Sequence, residues 1–166
     1  MKMRLFPVPN QVFRLRSFLF LLALMPMLLS AQSAIPNFSF LTLDGEPFTQ
    51  AQIDLDKPAL IIRFDPYCEH CEQQAEWIAE AQEAFQHVQL IYVAFEEVGP
   101  ISEFRDRYFG EGEWPNLHFL RDENYQFEEF FGYTEEYLNV YAYKPGAKRL
   151  KYFGEEQPAE VLLKYL

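Results

Sequence analysis

Ala59-Leu60-Ile61-Ile62-Arg63-Phe64-Asp65-Pro66-Tyr67-Cys68-Glu69-His70-Cys71 is the stretch whose reading decides the fold. Its first half is a short apolar run behind Lys57-Pro58, the pattern of a buried strand. Its second half holds the only two cysteines of the chain. From Glu69 onward Ala75, Ile78, Ala81 (or Gln82) and Phe85 recur at helical spacing, with Trp77 and Ala84 flanking that face. The pair therefore stands where a strand hands over to a helix. Cys68 falls at or just before the helix N-terminus, and Cys71 lies one turn further in and is expected to be the more buried. Free backbone N–H groups and the helix dipole at that end favour a thiolate, the reactive form of cysteine.

The start of the chain indicates the compartment. Lys2, Arg4, Arg14 and Arg16 precede the apolar run Phe18-Leu19-Phe20-Leu21-Leu22-Ala23-Leu24-Met25-Pro26-Met27-Leu28-Leu29, and Ser30-Ala31-Gln32-Ser33-Ala34 follows. A basic, then apolar, then small-residue order is that of a secretory signal. The run is about a dozen residues, short of the roughly 20 that span a bilayer. The expected organisation is a signal peptide over 1–31, cut after Ala31 or Ser33, and one folded domain over 32–166. An uncleaved signal would be the only link to a membrane. Removing four cations and no acid takes the formal charge from −11 to −11 − 4 = −15. So acidic a domain argues against nucleic acid as a partner, since binding to phosphate needs clusters of lysine and arginine.

Export places the thiols where disulfides persist. A bridge between Cys68 and Cys71 would close almost no loop, so it gains little as a staple. As a reactive pair it makes chemical sense: Cys68 attacks a substrate disulfide and Cys71 resolves the mixed disulfide. Between them, a protonated His70 favours the reduced state, and Glu69 opposes it. Asp65, three residues before Cys68, is a candidate for assisting proton transfer or for forming the turn before Pro66.

The rest of the chain extends this order. Residues 88–95 read as a central strand, 100–108 as an amphipathic helix ended by Gly110, and 116–120 as another strand. Residues 125–131 read as a helix ended by Gly132. Residues 138–143 and 150–153 flank the Pro145-Gly146 turn of a hairpin, and 158–166 form a last helix. The expected class is α/β, a central mixed sheet flanked by helices.

On these motifs the chain resembles the thioredoxin-like superfamily, and within it the exported redoxins of the TlpA type. Ile35-Pro36-Asn37-Phe38-Ser39-Phe40-Leu41-Thr42-Leu43-Asp44-Gly45-Glu46-Pro47-Phe48 is similar to the family's leading strand and Asp-Gly turn. Trp114-Pro115-Asn116-Leu117-His118-Phe119-Leu120-Arg121-Asp122 is similar to the strand this branch inserts. The resemblance implies a thioredoxin-like fold with an N-terminal strand extension and a small inserted strand-helix. It also implies a thiol–disulfide oxidoreductase outside the cytoplasm, in the periplasm. Such an enzyme acts on protein disulfides or dithiols, in the reductive direction, and an upstream redox partner resets it. No cofactor is implied, and no nucleotide, flavin or haem motif is visible.

Two departures from the family pattern stand out. The superfamily places a cis-proline facing the cysteine pair. Counting back from the hairpin turn puts that position at Glu136-Tyr137, without a proline; a second register would assign it to Pro115. Relatives also carry a Glu three residues after the second cysteine, where this chain has Gln74, an amide that cannot act as a base. Two other readings follow. In one, the fold binds copper or zinc through Cys68, Cys71 and His70, His87 or His118. In the other, a permanently closed pair leaves a redox-inert binding protein. For the second, Phe127, Phe130, Phe131, Tyr133, Tyr137, Tyr141 and Tyr143 would supply recognition unless they pack the core.

Overall fold

Residues 59–62 are all buried in the short strand β3, Ala59–Arg63, and so is every residue of β4, Gln89–Ala94. A strand buried on both faces shows no polar alternation, which is why both segments are near-continuous apolar runs. The structure is a computed structural model that describes residues 34–110 and 112–166. The export signal expected over 1–31 lies outside the described residues.

β3 and β4 pair in parallel, Ala59 opposite Gln89 through Arg63 opposite Val93. A crossover joins them through helices α1, Glu69–Glu80, and α2, Gln82–Phe85. A second crossover, through α3 (Val98–Phe109), places β5 (Leu117–Arg121) parallel to β4 on its other side. On the far edge β6, Asn139–Lys144, runs antiparallel to β3, and β7, Lys148–Phe153, completes the hairpin. At the chain start β1, Ser39–Thr42, and β2, Pro47–Thr49, add an antiparallel extension against β5, with Gly45 at φ +84° in the turn between them. The mixed seven-stranded sheet has the order β2-β1-β5-β4-β3-β6-β7. This is the α/β architecture expected from the sequence, with its strand extension and inserted strand-helix.

Strand alternation sends side chains to two cores, one on each face of the sheet. Leu60, Ile62, Phe64 and Tyr92 join Ile78 and Phe85 of the crossover and Phe104 of α3 in the first. Ile61, Ile91, Phe38, Phe40, Phe127 and Tyr141 make the second. Of the aromatic residues considered for recognition, Phe127, Phe131, Tyr141 and Tyr143 are therefore core, while Tyr133 and Tyr137 stand exposed.

Two helices are shorter than the periodicity suggests. The segment expected over 125–131 begins as α4 at Phe127, because Tyr125 sits at φ +55° and the buried Asp122 carboxylate accepts the N–H groups of Gln126 and Phe127. The last helix, α5, is Ala159–Leu163, with Pro158 as its N-cap. Conversely, the helix expected over 100–108 begins two residues earlier, at Val98, so Pro100 lies inside its first turn where no N–H is needed.

Candidate active site

The turn between β3 and α1 is built by Asp65. Its carbonyl accepts the Cys68 N–H at 3.1 Å, and its carboxylate accepts the Tyr67 N–H at 2.8 Å. This carboxylate thus supports the turn, one of the two roles the sequence left open. Cys68 is the N-cap of α1, extended at φ −92° and ψ 120°, and its carbonyl accepts the N–H groups of Cys71 and Glu72, both at 3.0 Å. Both cysteines are free thiols; Cys68 is half-buried and Cys71 is 1% exposed.

Burial pushes the Cys71 thiol far above its ordinary range. The Asp65 main-chain N–H, 3.5 Å from its sulfur, pulls the other way. A hydrogen bond with Cys68 and the negative charges of Cys68 and Asp65 add to the rise. Cys71 is thus the protected thiol and Cys68 the accessible one.

His70 is exposed, and its Nδ1 lies 2.9 Å from the Glu156 carboxylate in the segment after β7. Burial works against ionisation of Glu156, but its own N–H and the His70 hydrogen bond and charge outweigh it and lower its carboxyl. Glu69 is exposed and lies outside the groove beside Cys68. That groove, of about 250 Å³, is lined by Cys68 and His70, by Glu136, Tyr137 and Leu138, and by Gly154, Glu155 and Glu156. The two residues counted back from the hairpin turn, Glu136 and Tyr137, therefore face Cys68, and Pro115 does not line the groove. Among the described residues every peptide bond is trans.

The Glu136 loop is held from beneath. The Glu136 carbonyl accepts from Arg63 Nη1 at 2.9 Å and from the side chain of the buried Asn139 at 2.8 Å. The Tyr152 hydroxyl donates to Asn139 Oδ1 at 2.9 Å, and the Arg63 guanidinium stacks on Phe95.

Gln74, placed where relatives carry an acid, is fully buried. It donates to the Gln157 carbonyl at 3.0 Å and accepts the Gln157 N–H at 2.8 Å. This amide clamps α1 to the segment carrying Glu155 and Glu156, which is a role a carboxylate could not fill because it cannot donate. Gln74→Ala is expected to cost about 1–3 kcal/mol by stripping both groups of Gln157 of their partners. A urea midpoint unchanged from wild type would show that the clamp is idle.

Sequence reasoning missed Glu96. Its Oε2 is buried without a hydrogen-bond partner, and burial raises the carboxyl. Its own N–H and that of Phe95 lower it, Asp65 raises it and Arg63 lowers it. The clue available was an acid two places beyond a fully buried strand, at the sheet end where Asp65 also emerges. The groove wall Gly154-Glu155-Glu156 was missed too, since it lies some eighty residues from Cys68 and only the β7 turn-back brings it there.

The other histidines take no part. His87 is exposed, and the half-buried His118 packs on Phe48 with ring centroids 4.8 Å apart; its burial lowers its pKa. Among the described residues no group of three or more His, Cys, Asp or Glu gathers into a metal-binding cluster. No helix among them is long and apolar enough to cross a membrane.

No protein-family model and no curated protein matches the chain. Solved structures do. MTB DsbF, determined in its mixed oxidized and reduced forms, is 22% identical over 78% of this chain and 92% of its own, at TM-score 0.64. A secreted Mycobacterium tuberculosis disulfide oxidoreductase homologous to E. coli DsbE is 20% identical over 78% and 96%, at 0.63. BsSco, a member of the Sco family of cytochrome c oxidase assembly proteins with a disulfide switch, is 18% identical over 80% and 91%, at 0.60. At these identities the likeness is one of fold: the chain has the thioredoxin-like fold, with its two cysteines at the turn from β3 into α1.

Proposed function

We propose that the protein is a thiol–disulfide oxidoreductase that works outside the cytoplasm and reduces disulfides in other proteins. The observation that carries this reading is the asymmetry of the pair: Cys68 half-buried at the N-cap of α1 and open to a groove, Cys71 buried one turn on. In the forward reaction the Cys68 thiolate attacks one sulfur of a substrate disulfide. A mixed disulfide forms and the first substrate thiolate leaves. Cys71 loses its proton and attacks Cys68 Sγ, a Cys68–Cys71 disulfide forms and the second substrate thiolate leaves. Two electrons pass to the substrate, and an upstream dithiol partner returns them. Asp65 tunes the resolving step in two opposed ways, its N–H favouring the Cys71 thiolate and its carboxylate disfavouring it. His70 and Glu69 are assigned to tuning the couple, and Glu136 and Tyr137 to the substrate groove.

The reduction potential tests this reading. Equilibration of the domain over 32–166 with dithiothreitol buffers is expected to give a value near that of thioredoxin, roughly −270 mV. His70→Ala is expected to shift it by less than about 30 mV, equivalent to 1.4 kcal/mol, because the exposed ring is paired with Glu156 at 2.9 Å rather than with a cysteine sulfur. A value near roughly −120 mV would make the protein an oxidant instead. A pair that stays closed far below the thioredoxin value would leave the redox-inert binding protein.

A further inference from the structure

The groove beside Cys68 has a pronounced charge pattern. Three carboxylates line it, Glu136, Glu155 and Glu156, with no lysine or arginine among the lining residues. His70 is its one cationic candidate and is taken up by Glu156 at 2.9 Å. Arg63 approaches from below but is committed to the Glu136 carbonyl and the Phe95 ring. Lys151 lines a neighbouring hollow that also includes Glu136 and Glu155. Glu69 and Glu135, next in sequence to the lining residues Cys68 and Glu136, are exposed.

Two further features point to a ligand rather than to a merely solvated face. Tyr137 in the groove is 66% exposed, and Tyr67 on the cysteine turn is 74% exposed, which puts large aromatic faces in water beside the nucleophile. Gly154 lies in the groove wall with no side chain. A Cβ there would come within 3.0 Å of the Tyr152 hydroxyl and 3.1 Å of Glu136 Cγ, so the missing side chain keeps Glu136 beside the opening.

Resting on the oxidoreductase reading, we infer that the groove selects substrate disulfides flanked by lysine or arginine. A cation placed beside the substrate cysteine meets Glu136 and Glu155 as charge partners, and Tyr137 or Tyr67 as a ring over which it can sit. The formal −15 of residues 32–166 acts in the same direction at longer range and speeds encounter with cationic partners. A substrate with acidic flanks meets like charge in both regimes.

The test uses two disulfide-linked peptides that differ only in having Lys or Glu on both sides of the cysteine, with neutral hydroxyethyl disulfide as a third substrate. The reduced protein is expected to act on the Lys peptide about tenfold faster than on the Glu peptide at low ionic strength, with the ratio shrinking as salt is added. In the double variant Glu136→Gln, Glu155→Gln the Lys-to-Glu ratio is expected to fall toward one; because both rates come from one preparation, a general loss of activity does not mimic it. Equal rates on the two peptides, or a ratio the double variant keeps, would overturn the inference while leaving the oxidoreductase reading intact. Failure to reduce even hydroxyethyl disulfide would overturn both.

Discussion

Cys68→Ser is expected to reduce disulfide exchange to the uncatalysed rate, whereas Cys71→Ser is expected to stop the reaction half-way, with substrate held on Cys68. The difference follows from where the turn puts the two sulfurs. Cys68 opens onto the groove at the N-cap, and a serine hydroxyl in its place does not ionise at neutral pH, so no attack occurs. Cys71 is 1% exposed, so an incoming disulfide cannot reach it; its one accessible partner is the sulfur of Cys68. Without it the mixed disulfide has no internal way out and accumulates as a species that a non-reducing gel resolves. In Cys71→Ser a hydroxyl replaces the thiol at nearly the same volume, so the variant is expected to fold. A Cys71→Ser protein that turns over as fast as wild type would mean that the second thiol comes from the substrate, and the resolving role would be lost. A Cys68→Ser protein that still forms mixed disulfides through Cys71 would reverse the two roles.

The parts of this site that a reader of the sequence can see are those that lie along the chain. The buried strand, the cysteine spacing and the helical repeat of Ala75 and Ile78 are local, and they placed Cys68 at a helix start. The hairpin turn at Pro145-Gly146 gave a ruler for counting back to Glu136 and Tyr137, although those two are about seventy residues from Cys68. Other features depend on pairings that no local pattern records. Gln74 reads as a missing base because position alone was compared with relatives. Its actual work, two hydrogen bonds to Gln157, requires knowing that the segment after β7 packs back on α1. Asp65 reads as suited to two tasks, and its 2.8 Å contact with the Tyr67 N–H, which only the folded turn shows, engages the carboxylate in the first residues of that turn. The helix start at Phe127 was likewise displaced by a tertiary choice, since Asp122 is buried and caps it from across a positive-φ residue.

Phe64→Ala is expected to be the most damaging single change to the fold, and its cost bears on the site. Phe64 is 2% exposed at the end of β3, and its N–H donates to the Val93 carbonyl at 3.0 Å. Its ring lies 4.7 Å from Phe104, 5.4 Å from Tyr92 and 5.8 Å from Phe119, centroid to centroid. Truncation loses that burial and leaves a void that the surrounding elements must close around, at a cost of about 3–5 kcal/mol. Against a total stability of about 5–15 kcal/mol for such a domain, this is a large share. Phe64→Leu keeps most of the volume and is expected to cost less than about 1.5 kcal/mol. Urea unfolding of the reduced protein measures both. The next residue is Asp65, whose N–H rests on the Cys71 sulfur, so the aromatic cluster is also the backing of the cysteine turn. Cys71 is therefore expected to alkylate faster in Phe64→Ala than in wild type under native conditions, while Phe64→Leu stays near wild type. If Phe64→Ala loses stability but Cys71 remains as protected as before, the turn is held by its own hydrogen bonds and by Gln74. The aromatic core then carries the sheet and contributes nothing to the shielding of the resolving thiol.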